Sequence, residues 1–299
     1  MSQTCWGIDL GGTKIEGVVL PAGDSVDPLC RKRVPTERDR GYDHVRHRIV
    51  ELVDELAAEI GERPTAIGVG TPGALDPDTQ TLKNSNTTCL IGKPLQQHLN
   101  SDLGCRVELA NDANCFALAE ARLGAAKGVQ SVFGVILGTG VGGGLVFDGQ
   151  VVHGAQGIGG EWGHNVLDPE GPECYCGLRG CVETFLAGPK LEEFYEERSS
   201  NRRPLAEIAE RAGGGTDPTA SDTINRLVES FGRALASVVN VVDPHVVVLG
   251  GGVSNVAVLY ERGAAELERW VFNDRLLTQL RRNELGDSAG VFGAAMLVA

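Results

Sequence analysis

Positive charge is in short supply. The 299-residue sequence sets 27 Lys and Arg against 40 Asp and Glu, a formal net charge of −13. Non-specific binding to nucleic acid or to an anionic membrane needs a cationic footprint, so this balance argues against both. It leaves room for a local pocket that holds one small anion. No secretory leader is expected either, since Met1-Ser2-Gln3-Thr4-Cys5-Trp6-Gly7 has neither a basic opening nor an apolar run behind it. The longest apolar stretch, residues 235–250, is interrupted by Asn240, Asp243, Pro244 and His245 and is too polar to span a bilayer. Nor do the eight cysteines form a disulfide framework. Cys5, Cys30, Cys89, Cys105 and Cys115 are scattered among apolar residues, where a free thiol behaves as a small core side chain. A soluble, cytoplasmic protein of about two domains is expected.

Glycine is what the sequence has in excess, at 41 residues, about twice the usual ~7 % share. The glycines sit beside apolar runs and follow no Gly-X-Y period, which points to turns that let the backbone approach a ligand. Runs at 5–10 and 15–20 flank Gly11-Gly12-Thr13-Lys14 and predict a hairpin. Val45, Ile49, Leu52, Val53, Leu56 and Ile60 share one face of a helix over 42–60. A strand at 66–70, a helix at 95–103, a strand at 107–110 and a helix at 112–123 follow. The opening pattern then returns, with strands at 131–137 and 145–147 around a glycine turn at 138–144. That recurrence predicts two similar α/β domains. The first covers residues 1–115 and is joined by a last helix at about 289–299; the second covers 116–288. Helices at 202–212 and 219–242 lead to a buried strand at 246–249, then Gly250-Gly251-Gly252 and a helix from about Val256. With no low-complexity linker between the halves, a cleft between packed domains is expected.

Three groups of residues carry chemistry. Asp9-Leu10-Gly11-Gly12-Thr13-Lys14 offers backbone N–H groups and a hydroxyl to a phosphate, with Asp9 placed to hold Mg²⁺ through water. On its own it could equally be a hairpin turn with an exposed acid, but residues 138–144 and 250–252 repeat the glycine turn and suit a polyphosphate nucleotide. In Leu109-Ala110-Asn111-Asp112-Ala113-Asn114-Cys115, Asp112 falls between a strand and a helix. There it is either a general base for a substrate hydroxyl or part of an ordinary helix cap. His164, Cys174, Cys176 and Cys181 form a Cys₃His set, the ligand chemistry of a closed structural Zn²⁺ site, with Gly177 and Gly180 letting the loop at 164–181 wrap one ion. A chance cluster or a Cys174–Cys176 redox pair is the plainer alternative. Glu161 and Glu183 flank this set and bind either a ligand's hydroxyls or the zinc ligands. Asn84-Ser85-Asn86-Thr87-Thr88 is either a polar loop or a hydroxyl-binding edge.

These pieces, in this order over nearly the whole chain, resemble the ROK family of bacterial sugar kinases and related repressors. The resemblance rests on residues 7–14, Gly70-Thr71-Pro72-Gly73, Asn111-Asp112-Ala113-Asn114, residues 138–144, 161–164, 174–183 and 249–252. It implies two ribonuclease-H-like, actin-like ATPase domains with ATP and sugar in the cleft between them, and phosphoryl transfer to a hexose hydroxyl, usually O6. Asp112 would be the base. Gly73, Asn86, Asn111, Glu161, His164 and Glu183 would surround the sugar, His164 touching it with one ring nitrogen and zinc with the other. Asp9, Gly11, Gly12, Thr13, Lys14, Gly138, Thr139, Gly140, Gly142, Gly143, Gly251, Gly252 and Asn255 would hold ATP and Mg²⁺. A homodimer is expected, with no nucleic-acid or membrane partner.

The local wording of residues 161–165 and 109–115 most resembles the fructokinase and mannokinase branch. Trp162 suggests bulk where an N-acetylhexosamine would need an acetamide slot. Fructose is therefore the expected substrate, with mannose and glucose usable, and a kinase of N-acetylhexosamines or glucose is the alternative. A sugar-sensing repressor of the same family fits poorly. Its helix-turn-helix would precede the first strand, which here begins by residue 5, and the net charge is −13. A non-catalytic sugar-binding protein is disfavoured by the presence of both Asp9 and Asp112.

Overall fold

The computed structural model describes residues 4–299; Met1, Ser2 and Gln3, part of the stretch read above for a leader, lie outside the described residues. From the N-terminus run β1 (Cys5–Leu10), β2 (Lys14–Leu20), β3 (Cys30–Pro35), α1 (Tyr42–Ile60) and β4 (Ala66–Thr71). The short pair β5 (Ala74–Leu75) and β6 (Leu82–Lys83) precedes α2 (Leu95–Leu103), β7 (Arg106–Asn111) and α3 (Asp112–Arg122). Then come β8 (Ser131–Leu137), β9 (Val141–Phe147), β10 (Gln150–Val151), α4 (Glu183–Leu186), α5 (Gly188–Ser199), α6 (Leu205–Gly213) and α7 (Pro218–Val242). The chain ends with β11 (Val246–Gly250), α8 (Ala264–Trp270), β12 (Gln279–Arg282) and α9 (Ala289–Met296).

Two five-stranded sheets share one topology. The first has the order β3-β2-β1-β4-β7 and the second β10-β9-β8-β11-β12. In the first, β1 pairs antiparallel with β2 and parallel with β4, and β4 pairs parallel with β7. In the second, β11 pairs parallel with both β8 and β12. The duplication inferred from two glycine turns is thus a duplication of whole sheets. The chain divides into two compact units, 1–130 with 144–160 and 284–299, and 131–143 with 161–283. A split at 115/116 would cut through α3, which packs along its length on α9.

In the first unit α1 buries Val45, Ile49, Leu52, Val53 and Leu56 on one face, and ends at Gly61 in the left-handed conformation that favours glycine. That face joins Trp6, Ile8, Leu10, Ile67 and Val69 in a single core. On the other side of the sheet, α9 lies directly on strand backbone. A Cβ at Gly68 would stand 1.8 Å from Ala294 O, and where α9 meets α3 one at Gly293 would stand 1.7 Å from Cys115 O, so only glycine admits either contact. In the second unit α7 starts at Asp217, whose carboxylate accepts from Ala220 N at 3.0 Å, with Pro218 in its first turn.

Two predicted segments come out differently. The glycine turn expected over 138–144 closes within 138–140, where Gly138 N donates to Gly140 O, and Val141 onward is already β9, so Gly142 and Gly143 are strand residues. The helix expected from Val256 opens with a π-helical turn over Leu259–Gly263 before α8. Among the described residues, no helix is long and apolar enough to cross a membrane.

Candidate active site

In the first unit the predicted residues collect at the C-terminal ends of β1, β4 and β7. Asp9 pairs with Gly70 in the parallel register, and Gly70 in turn with Ala110, just ahead of Asn111 and Asp112. Asn111 is the N-cap of α3. Its side-chain oxygen accepts from Ala113 N at 2.9 Å, while its amide donates to Gly73 O at 3.1 Å. Asn111 thus caps the helix and ties the Gly73 turn. Asp112 Oδ1 also accepts from Ala113 N, at 2.8 Å. Asp112 is open to solute yet ringed by protein atoms, and burial pushes its pKa above the ordinary carboxylate range. Asp9 is pushed up to about 6, first by burial and then by the charges of Asp112 and Glu16. Two carboxylates whose charges act on one another are the electrostatic setting a divalent cation relieves.

The turn between β1 and β2 is closed by Gly11 N donating to Lys14 O at 2.9 Å and by the Thr36 hydroxyl donating to Gly11 O at 2.7 Å. Lys14 is drawn aside by Glu16, 3.5 Å from its ammonium, and Glu16 is buried between Arg31 and Arg33. Asn86 is exposed just after β6, its side-chain Oδ1 accepting from the Thr87 hydroxyl at 3.5 Å.

In the second unit Glu183 heads α4 and accepts from Val141 N at 2.8 Å, fixing it against the β8–β9 turn. His164 and Glu161 lie at the two ends of a 3₁₀ turn around Trp162. Trp162 does not crowd a ligand as expected. It is buried, its indole N–H donates to Gly142 O at 3.0 Å and its ring meets Phe133 edge-on, so its bulk fills the unit's own core. Sequence adjacency to His164 said nothing about side-chain direction.

A cavity of about 910 Å³ opens in the same unit, within the size range of small-ligand sites. Gly138, Thr139, Gly252 and Asn255 line it, as do the apolar wall of α6 and the pair Asn225 and Arg262, joined by a 2.7 Å hydrogen bond. Gly140, Gly142, Gly143 and Gly251 are not among its lining residues. The walls from α5 and α6, and Asn225 and Arg262, were missed in the sequence because no local pattern links residues so far apart.

His164, Cys174, Cys176 and Cys181 converge, with one donor atom from each within 4.8 Å of all the others. Cys176 Sγ lies 3.6 Å from Cys181 Sγ, and Cys174 Sγ 3.7 Å from His164 Nδ1. A tetrahedron of ligands about 2.3 Å from zinc has edges of about 3.8 Å, so the set fits that ion. Gly177 and Gly180 both take positive φ, as the wrapping loop requires. Burial, and then the neighbouring thiols, push Cys181 up to about 12. His164 Nε2 faces away from them, 3.1 Å from the Tyr175 hydroxyl.

Paired sheets of this topology with strand-end carboxylates and glycine turns define a two-domain protein of the actin-like ATPase fold. The sequence model of the ROK family matches residues 5–299. The chain belongs to the ROK family and stands among its sugar kinases. It is 36 % identical to an N-acetyl-D-glucosamine kinase of Pectobacterium atrosepticum over 98 % of both chains, and 35 % identical to one of Vibrio parahaemolyticus with the same coverage. A crystal structure of a ROK hexokinase from Thermus thermophilus superposes with a TM-score of 0.87 at 37 % identity, covering 98 % of this chain and 97 % of that one. A ROK glucokinase from Streptomyces griseus, solved with glucose and AMPPNP, gives 0.79 at 28 % identity over 98 % of both.

Proposed function

We propose that the protein transfers the terminal phosphoryl group of ATP to a hydroxyl of N-acetyl-D-glucosamine, with glucose as a secondary substrate. The observation that carries this reading is full-length similarity to two N-acetyl-D-glucosamine kinases at 35–36 % identity. The fructose expectation rested on the wording of residues 161–165 and 109–115 and on Trp162 as an obstacle to the acetamide, and the buried indole takes away the second ground.

Asp112 accepts the proton of the attacking hydroxyl, its raised pKa bringing it nearer the operating pH of a general base. Asn111 and Gly73 keep it in place through the cap and the 3.1 Å tie. Glu161, Glu183, His164 and Asn86 bind sugar hydroxyls, and each hydroxyl missing from a competitor leaves a polar group without a partner. Asp9 would hold Mg²⁺, whose charge would offset that of the phosphates, and the turns at 11–14, 138–140 and 251–252 present N–H groups to the phosphates. The nucleoside occupies the cavity beside Asn255. His164, Cys174, Cys176 and Cys181 would hold zinc, which would keep the 164–181 loop in shape.

The test is ADP release at subsaturating N-acetyl-D-glucosamine, glucose, mannose and fructose. The highest kcat/KM is expected for N-acetyl-D-glucosamine. Fructose or mannose exceeding it tenfold, about 1.4 kcal/mol in transition-state binding, would restore the first expectation.

A further inference from the structure

Tyr175 is the one residue between two of the clustered thiols, Cys174 and Cys176. The loop is stiff at this point, with Cys174 N donating to Leu178 O at 2.9 Å and Gly177 N to Cys174 O at 3.0 Å. With its neighbours turned toward the metal-fitting cluster, the Tyr175 side chain projects outward and is 82 % exposed. An exposed aromatic ring has little apolar burial to hold it. What it does have is His164: its hydroxyl is 3.1 Å from Nε2, and the rings meet edge to face at 5.2 Å and 90°.

The chemistry of the imidazole makes that contact consequential. His164 Nδ1 faces the thiols, 3.7 Å from Cys174 Sγ, and as a metal ligand it carries no proton. The single N–H of the ring is then on Nε2 and donates to the Tyr175 hydroxyl. One N–H makes one well-aligned hydrogen bond. We infer that Tyr175 is a displaceable occupant of the His164 Nε2 donor, and that a sugar hydroxyl binds there by replacing it. The inference rests on the sugar reading above, which places a hydroxyl on the same nitrogen. Sugar binding at this point exchanges one hydrogen bond for another instead of adding one, so Tyr175 sets the affinity of the site without taking part in phosphoryl transfer.

Tyr175→Phe keeps the ring and removes the competing acceptor. With zinc near one per chain in both proteins, the variant is expected to bind N-acetyl-D-glucosamine two- to tenfold more tightly by calorimetry, the worth of one net neutral hydrogen bond. KM should fall to match, and kcat should stay within twofold of wild type. The readout independent of turnover is the ¹⁵N–¹H spectrum of histidine-labelled, zinc-loaded protein. There the His164 Nε2–H signal should move in the variant before any sugar is added, and move in wild type when N-acetyl-D-glucosamine is added. A variant with wild-type affinity and an unmoved Nε2–H signal, or with weaker sugar binding, overturns the displacement alone. A wild-type protein that phosphorylates none of the four sugars overturns the kinase reading, and the displacement with it.

Discussion

Replacing Asp9 by Asn should make the ligand-free protein more stable at neutral pH and inactive as a kinase. The Asp9 carboxyl titrates at about 6 in the folded protein, raised first by burial and then by Asp112 and Glu16. In the unfolded chain it loses its proton near 3.9. Below that pH both states hold the proton and nothing is lost. Between about 4 and 6 the unfolded chain ionises first, so stability falls as pH rises, and above about 6 the loss is complete. At ~1.4 kcal/mol for each tenfold in proton affinity, the full loss is about 3 kcal/mol, an upper value because the side chain is partly open to water. Asn has the same shape and never ionises. The variant should therefore melt with wild type near pH 4 and above it near pH 8, by roughly 4 °C for a chain of this size. Calorimetry without Mg²⁺ or nucleotide makes the comparison, and adding Mg²⁺ with ATP should stabilise wild type more than the variant. A melting difference that does not change between pH 4 and pH 8, or an Asn variant that melts below wild type at pH 8, would refute the electrostatic reasoning.

Asp112→Asn preserves size, and the Asn111 cap is independent of it, so the variant should fold and lose ~10²–10⁴ in kcat. A folded Asp112→Asn variant within a few-fold of wild-type turnover would remove Asp112 from the role of base. Cys176→Ser takes one corner from the tetrahedron. Metal analysis should find close to one zinc per wild-type chain and little in the variant, whose sugar affinity should drop; a zinc-free variant with normal affinity would show that the loop holds its shape unaided.

Where a residue's job is local, the sequence displayed it. The 3–4 spacing of Val45, Ile49, Leu52 and Leu56 marked α1 over its observed length, and Asn111-Asp112 announced a strand-to-helix junction. The convergence of His164 with three cysteines was equally visible, because the thiols lie on one short loop. The strand β3, Cys30-Arg31-Lys32-Arg33-Val34-Pro35, escaped notice because its charged residues satisfy Glu16 across the sheet edge, a pairing that only the fold creates. The helix α5 hid for a related reason, since it buries little besides Leu191 and Tyr195. Direction was the hardest thing to read. Trp162 and Tyr175 both neighbour zinc-set residues in sequence, yet one turns into the core and the other out to His164.

The seat of α9 has a bearing on the order in which the protein comes into being. Gly7, on the first strand, accepts a helix backbone so close that a Cβ would stand 2.5 Å from the amide nitrogen of Ala295. The β1–β2 hairpin therefore waits for α9 to be translated before its sheet is covered on that side. The second unit draws on residues 131–143 and 161–283, all of which have emerged earlier. During synthesis the second unit can be completed before the first, whose Gly68 face stays uncovered until α9 docks.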